Sequence, residues 1–180
     1  MSKEWLSQYK EITPEDFQTK PFELYHKEWA LVTAGTPEKC NSMTISWGGA
    51  GTYMSIPITN IYIRQERYTK KFFDEQELYT VCWFPESMKK ELGYMGNHSG
   101  RDEDKYAKTG LKPIELDGTM AIEQATRIRV CKKIFDGPID PKNICPCENK
   151  ERYFDKNNPN DYHTMYMGQV LKILEKKNNY

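Results

Sequence analysis

No apolar run in this sequence comes near the ~20 residues that a membrane-spanning helix needs. The opening MSKEWLSQYK has no apolar signal core, so neither an anchor nor an export signal is expected. Charge of one sign is missing too. The 26 Lys and Arg residues stand against 26 Asp and Glu, so no global field draws the chain to nucleic acid or to a membrane surface. A local basic cluster would still suffice for one anionic small molecule. Cysteine is sparse and odd in number, five in 180 residues with no disulfide-like framework, which favours a reducing cytoplasm. Cys40, Cys82 and Cys131 are dispersed, and only Cys145 and Cys147 lie close together. A structural zinc asks for about four ligands, so no metal site is expected. A disulfide across Pro146 would be strained, and the CPC triplet reads as a loop feature. It sits in an excursion rich in Pro, Asp and Asn, over about 136–161.

Nucleotide-binding signatures are also lacking. The stretch NSMTISWGGAG, residues 41–51, has three glycines within four positions. It lacks the Gly-Lys-Ser/Thr ending of a P-loop and the G-x-G-x-x-G spacing of a dinucleotide turn. No internal repeat, low-complexity tract or linker interrupts the chain, and 180 residues are most simply one domain. Regular alternation of strands and helices is absent, which disfavours a doubly wound parallel sheet.

What is present is strand-forming sequence. EWALVTAG reads as a buried strand ended by Gly35, and NSMTIS as a second strand after the turn TPEKC. IPITNIYIR alternates with period two, and ELYTVCWF is rich in β-branched and aromatic residues. MAIEQATRIRVCKKIF and YHTMYMGQVLKIL are each long enough for a later strand. Helices are short: TPEDF makes one turn, RYTKKFFDEQ starts near Thr69, and PESMKKELGYMG starts on Pro85. SGRDEDKYAKTG is expected to be capped by Ser99 and stopped by Gly110. The fold class expected is mainly β, a barrel decorated by short helices.

Three stretches carry candidate chemistry. The strand Asn41–Trp47 offers hydroxyls and backbone groups beside a large ring, which suits a flat heterocycle with polar rims. RQERYT, residues 64–69, brings Arg64, Arg67 and Thr69 to a helix start, where free N–H groups, a hydroxyl and a guanidinium suit a phosphate. NHSGRDEDKY, residues 97–106, places His98, Ser99, Gly100, Arg101 and Lys105 close together. His98 has no nucleophile partner in view, and no catalytic acid, base or nucleophile is expected. His163 reads as a structural histidine.

Taken in order, WALVTAG, NSMTISWGGAGTY, IYIRQERYTKKF, FPESMKKELGYMGNHSGRDEDKYAKTGL and YHTMYMGQV resemble the flavin reductase-like proteins of the flavoredoxin type. The resemblance implies an FMN-binding split β-barrel. It implies flavin contacts from Asn41, Ser42, Met43, Thr44, Ser46 and Trp47, with Gly48, Gly49 and Gly51 bending the chain away beneath the ring. Arg67 and Thr69, with Arg64, are implied near the phosphate. His98, Ser99, Gly100 and Lys105 are implied to close the site. It further implies NAD(P)H as electron donor, a homodimer with the flavin near the interface, and an onward acceptor that is free flavin, a protein or a small molecule. A non-enzymatic FMN-binding carrier or redox-sensing module stays open as the alternative.

Overall fold

The computed structural model describes residues 4–150 and 162–177. A 3₁₀ turn at Glu4–Gln8 leads into β1 (Tyr9–Ile12). β2 (Ala30–Gly35) and β3 (Cys40–Ile45) form a hairpin closed by reciprocal backbone bonds between Thr36 and Lys39. β4 (Gly48–Tyr53) and β5 (Ile56–Arg64) form the next hairpin. α1 (Tyr68–Glu75) precedes β6 (Leu78–Trp83), after which come α2 (Lys89–Asn97) and α3 (Lys105–Thr109). A small hairpin, β7 (Pro113–Leu116) with β8 (Thr119–Ile122), leads to the long strands β9 (Arg127–Pro138) and β10 (His163–Lys176).

The large sheet runs β3-β2-β6-β9-β10-β5-β4, with β1 added against β10. Every pairing in it is antiparallel. Its terminal strands are β3 and β4, and Ser46 and Trp47 join them directly. That crossing marks a seam where, among the described residues, each edge strand lacks one strand neighbour. Register shifts at Met167/Gly168 and Val170/Lys172 bend the long β9–β10 pair.

Period-two alternation explains how the sheet is filled. Along β2, Ala30, Val32 and Ala34 join Ile61, Ile63, Phe73, Val81, Trp83 and Tyr166 in one buried cluster. The intervening Leu31 joins Leu92 and Met95 of α2, Leu116 and Ile122 of the small hairpin, and Ile128 in a second. All six residues of β2 are buried, which accounts for its continuous apolar run. Each fully buried aliphatic side chain contributes about 1.5–3 kcal/mol. The second cluster holds α2 against the sheet, and Thr44 Oγ1 reinforces it by donating to Leu92 O at 2.5 Å.

Several expectations need correction. The glycines after Trp47 do not bend the chain away. They build β4, with Gly48 opposite Ile61 and Gly51 opposite Ile58. Gly48 sits so close to Tyr25 that an added Cβ would lie 2.7 Å from its ring, a close approach that only glycine permits. MAIEQATRIRVCKKIF is two strands, because the chain turns between Ile122 and Arg127. The helix after the NHSGRD stretch starts at Lys105, not behind Ser99. Asp104 caps it, its Oδ1 accepting from the Tyr106 and Ala107 amides at 3.0 and 3.1 Å. The excursion begins only after Pro138, where β9 ends, and residues 151–161 lie outside the described residues.

Candidate functional site

A cleft of about 340 Å³ opens between the end of β3, with Ser46 and Trp47 beyond it, and the β5–β10 pair. Met43, Thr44, Ile45, Ser46 and Trp47 form one wall, and Tyr62, Arg64 and His163 form the other. The second wall follows from register: His163 opens β10 directly opposite Arg64, and Met165 lies opposite Tyr62. Trp47 is 37% exposed, and its ring lies 5.1 Å from that of His163. The pair forms an aromatic rim.

The cleft shares Met43, Glu66 and Arg67 with a neighbouring cavity of about 200 Å³. This second cavity lies between the start of α1 and the loop that follows α2. Arg67 caps α1 and donates from Nη2 to Gly96 O at 2.5 Å. Thr69, only 2% exposed, accepts from Asn41 Nδ2 at 2.8 Å, which leaves its own hydroxyl proton to donate. Lys105 is 3% exposed and donates from Nζ to Ser42 O at 2.8 Å and Met95 O at 3.0 Å. An ammonium has three protons, so one remains. On the far wall His98 stacks on Tyr94 at 3.8 Å, and the Tyr94 hydroxyl donates to Glu103 at 2.8 Å.

Electrostatics set this cavity apart. Burial, with the Arg67 charge as a second cause, lowers the Lys105 amine to about 8. Burial also pulls the Arg67 guanidinium below its ordinary value. Among the described residues neither cation is in a salt bridge. Glu66 and Glu103 offset these charges only from beyond salt-bridge distance, and partly withdrawn positive charges so weakly compensated favour an anion joining them. The arrangement can therefore hold a compact anion at one end and a flat, partly apolar group at the other.

All the residues singled out in the sequence line these two cavities except Ser42. The Ser42 side chain turns away, its Oγ lying 2.7 Å from both the Thr33 and Tyr106 hydroxyls, and it reaches the site only through the carbonyl that holds Lys105. Thr44 lines the cleft, but its hydroxyl is committed to Leu92. Sequence reasoning missed Tyr62, Glu66, Tyr68 and Asn97, and set His163 aside. Tyr62 was within reach, since period two puts it on the same face as Arg64. His163 depends on long-range β5–β10 pairing that no local pattern shows. Arg101, beside His98 and Ser99 in sequence, lines the smaller cavity and donates to Glu66 O at 3.0 Å.

No protein-family model and no curated protein matches the sequence. Solved structures do match in fold. The flavoredoxin of Methanosarcina acetivorans superposes with a TM-score of 0.65 at 16% identity, covering 92% of this chain and 76% of its own. Nitrilotriacetate monooxygenase component B from Bacillus cereus gives 0.65 at 16% identity, covering 94% and 82%. An FMN-binding domain of a flavin reductases-like enzyme from Shewanella baltica gives 0.64 at 15% identity, covering 93% and 77%. Mostly β, with few short helices and an open seam between its edge strands, the chain has the split-barrel fold of the FMN-binding, flavin reductase-like proteins.

Proposed function

We propose that the paired cavities bind FMN and that the chain passes electrons from NAD(P)H through it to an acceptor. The observation that carries this reading is the chemical polarity of one continuous cleft. Half-buried Arg67 and buried Lys105, without salt bridges among the described residues, lie at one end, and the Trp47–His163 rim lies at the other. FMN has the same polarity, a phosphate dianion at one end and a flat ring with polar edges at the other.

In this reading Arg67, Lys105 and Thr69 hold the phosphate, with Arg64 nearer the ring. His98, Ser99 and Gly100 close over the phosphate. Met43, Ser46 and Trp47 receive the ring, while Asn41 positions Thr69 and Ser42 positions Lys105. Bound FMN supplies the two-electron chemistry, so no acid, base or nucleophile is required of the chain. The protein's part is to bind, to orient and to aim donors at the negative charge that builds on the ring when it is reduced. The hydride donor enters past Trp47 and His163. A homodimer and a cytoplasmic location complete the reading.

Steady-state oxidation of NADH and NADPH with FMN and an artificial acceptor tests it. Turnover well above that of free FMN is expected. Turnover equal to free flavin, with FMN bound, would leave a flavin-binding module in place of an oxidoreductase.

A further inference from the structure

Three of the five cysteines are withdrawn from thiol chemistry. Cys82 and Cys131 are buried, and burial pushes their thiols up to about 11 and about 12. Cys40 is half-buried, raised by burial, and donates to the Tyr106 hydroxyl at 3.7 Å. Cys145 and Cys147 are exposed, and both are free thiols. The chain thus confines accessible thiols to one dithiol.

That dithiol is tethered to the flavin end of the cleft. Just after β9, the Ile139 amide donates to His163 O at 2.8 Å, beside the residue whose ring packs on Trp47. Asp140 then caps a 3₁₀ turn at Pro141–Asn143, its Oδ1 accepting from the Lys142 amide at 2.8 Å. From Ile139 to Cys145 the chain can reach at most about 20 Å, and the turn shortens it to a rise of ~2.0 Å per residue there. Pro146 fixes one backbone torsion between the sulfurs. A bond between them closes a small, strained ring. Such a bond is a poor structural staple but a ready electron acceptor, because strained and exposed disulfides have the more oxidising potentials.

We propose that Cys145 and Cys147 form a reversible disulfide that takes the electrons delivered through the cleft and passes them to a disulfide-containing acceptor. This rests on the flavin reading above and names its acceptor class. NAD(P)H gives up a hydride by way of the flavin. With one proton from solvent, two electrons and two protons then cleave the Cys145–Cys147 bond to two thiols. One of these, as thiolate, attacks a sulfur of the acceptor disulfide, releasing a first thiol and leaving a mixed disulfide. The other cysteine attacks that mixed disulfide, releases the second thiol and restores the internal bond.

The full-length protein is equilibrated in glutathione buffers of graded redox ratio, alkylated, and read by peptide mass. The expected product is a single peptide carrying both cysteines, two hydrogens lighter, with a midpoint independent of protein concentration. Adding NADPH or NADH with FMN to the oxidised protein is expected to restore both thiols, one nicotinamide consumed per disulfide. Cys147→Ser is expected to abolish the two-hydrogen loss and leave FMN affinity unchanged. Glutathione adducts or intermolecular crosslinks in place of the internal bond would overturn the proposal. So would an internal bond that dithiothreitol opens but NAD(P)H with FMN does not. FMN binding is followed separately by absorbance. Its failure would overturn the flavin reading and electron delivery together, whereas bound FMN with an unreduced bond overturns the dithiol step alone.

Discussion

Asn41 donates from Nδ2 to Thr69 Oγ1 at 2.8 Å, with both residues buried. This one bond joins the seam strand β3 to the first turn of α1, and with them the ring cleft to the anion cavity. Gly100 packs on the same amide, and a Cβ there would collide with Asn41 Oδ1. Gly100→Ala must therefore displace Asn41 or the loop, at about 1–3 kcal/mol. Thermal unfolding should show that loss, and FMN titration should show weaker binding. A variant with native stability and native affinity would separate Asn41 from the site.

Arg67 uses Nη2 on the Gly96 carbonyl and lines both cavities. In the proposed placement of FMN, removing it takes away a charge-assisted contact to the phosphate. Arg67→Ala should weaken FMN binding by about 1.5–3 kcal/mol while leaving riboflavin, which has no phosphate, almost unaffected. Equal losses for the two ligands would mean that the phosphate lies elsewhere.

The lowered Lys105 amine gives the site a pH dependence with a definite sign. In the free protein it sheds its proton near pH 8, whereas a bound dianion favours the charged form. Binding above that pH must take up a proton, so FMN affinity should fall as pH rises through about 8, by up to tenfold per unit. Below about pH 6 the phosphate loses its second charge, and affinity should fall on that side too. Fluorescence titrations from about pH 5.5 to about 9.5, which span both transitions, would read both limbs. A flat alkaline limb would remove Lys105 from the phosphate site.

Trp47 sits at the rim, its ring 5.1 Å from His163. Aromatic pairing contributes about 0.5–1.5 kcal/mol beyond area burial. Trp47→Ala should therefore weaken FMN and riboflavin by similar amounts, the reverse of the Arg67 pattern. Selective loss of FMN alone would place the ring away from the seam.

The division between what the sequence made legible and what it hid follows local against long-range physics. β2, β3, β5 and β6 show in their composition and alternation, and α1 in a start placed near Thr69, one residue from its first residue Tyr68. β4 was hidden because Gly48, Gly49, Ala50 and Gly51 carry no strand signal of their own. They are strand because β5 pairs with them. Ser99 looked like a helix cap, but the backbone starts α3 where Asp104 can accept two amides. The resemblance implies that Lys105 helps to close the site, but the sequence carries no sign that it is buried. Its burial arises only when α3 packs over β3 and α2, where the Ser42 and Met95 carbonyls take its ammonium. The ring cleft was half legible. Its β3 wall is continuous in sequence, while Tyr62, Arg64 and His163 meet only through β5–β10 pairing.

The most direct test of the central claim is the affinity of the purified protein for FMN beside its affinity for riboflavin, both read by quenching of flavin fluorescence. With one buried and one half-buried cation and the Thr69 hydroxyl at the proposed phosphate site, FMN is predicted to bind tighter by at least about 100-fold, some 2.7 kcal/mol. Equal affinity for the two ligands, or no binding of either, would contradict it.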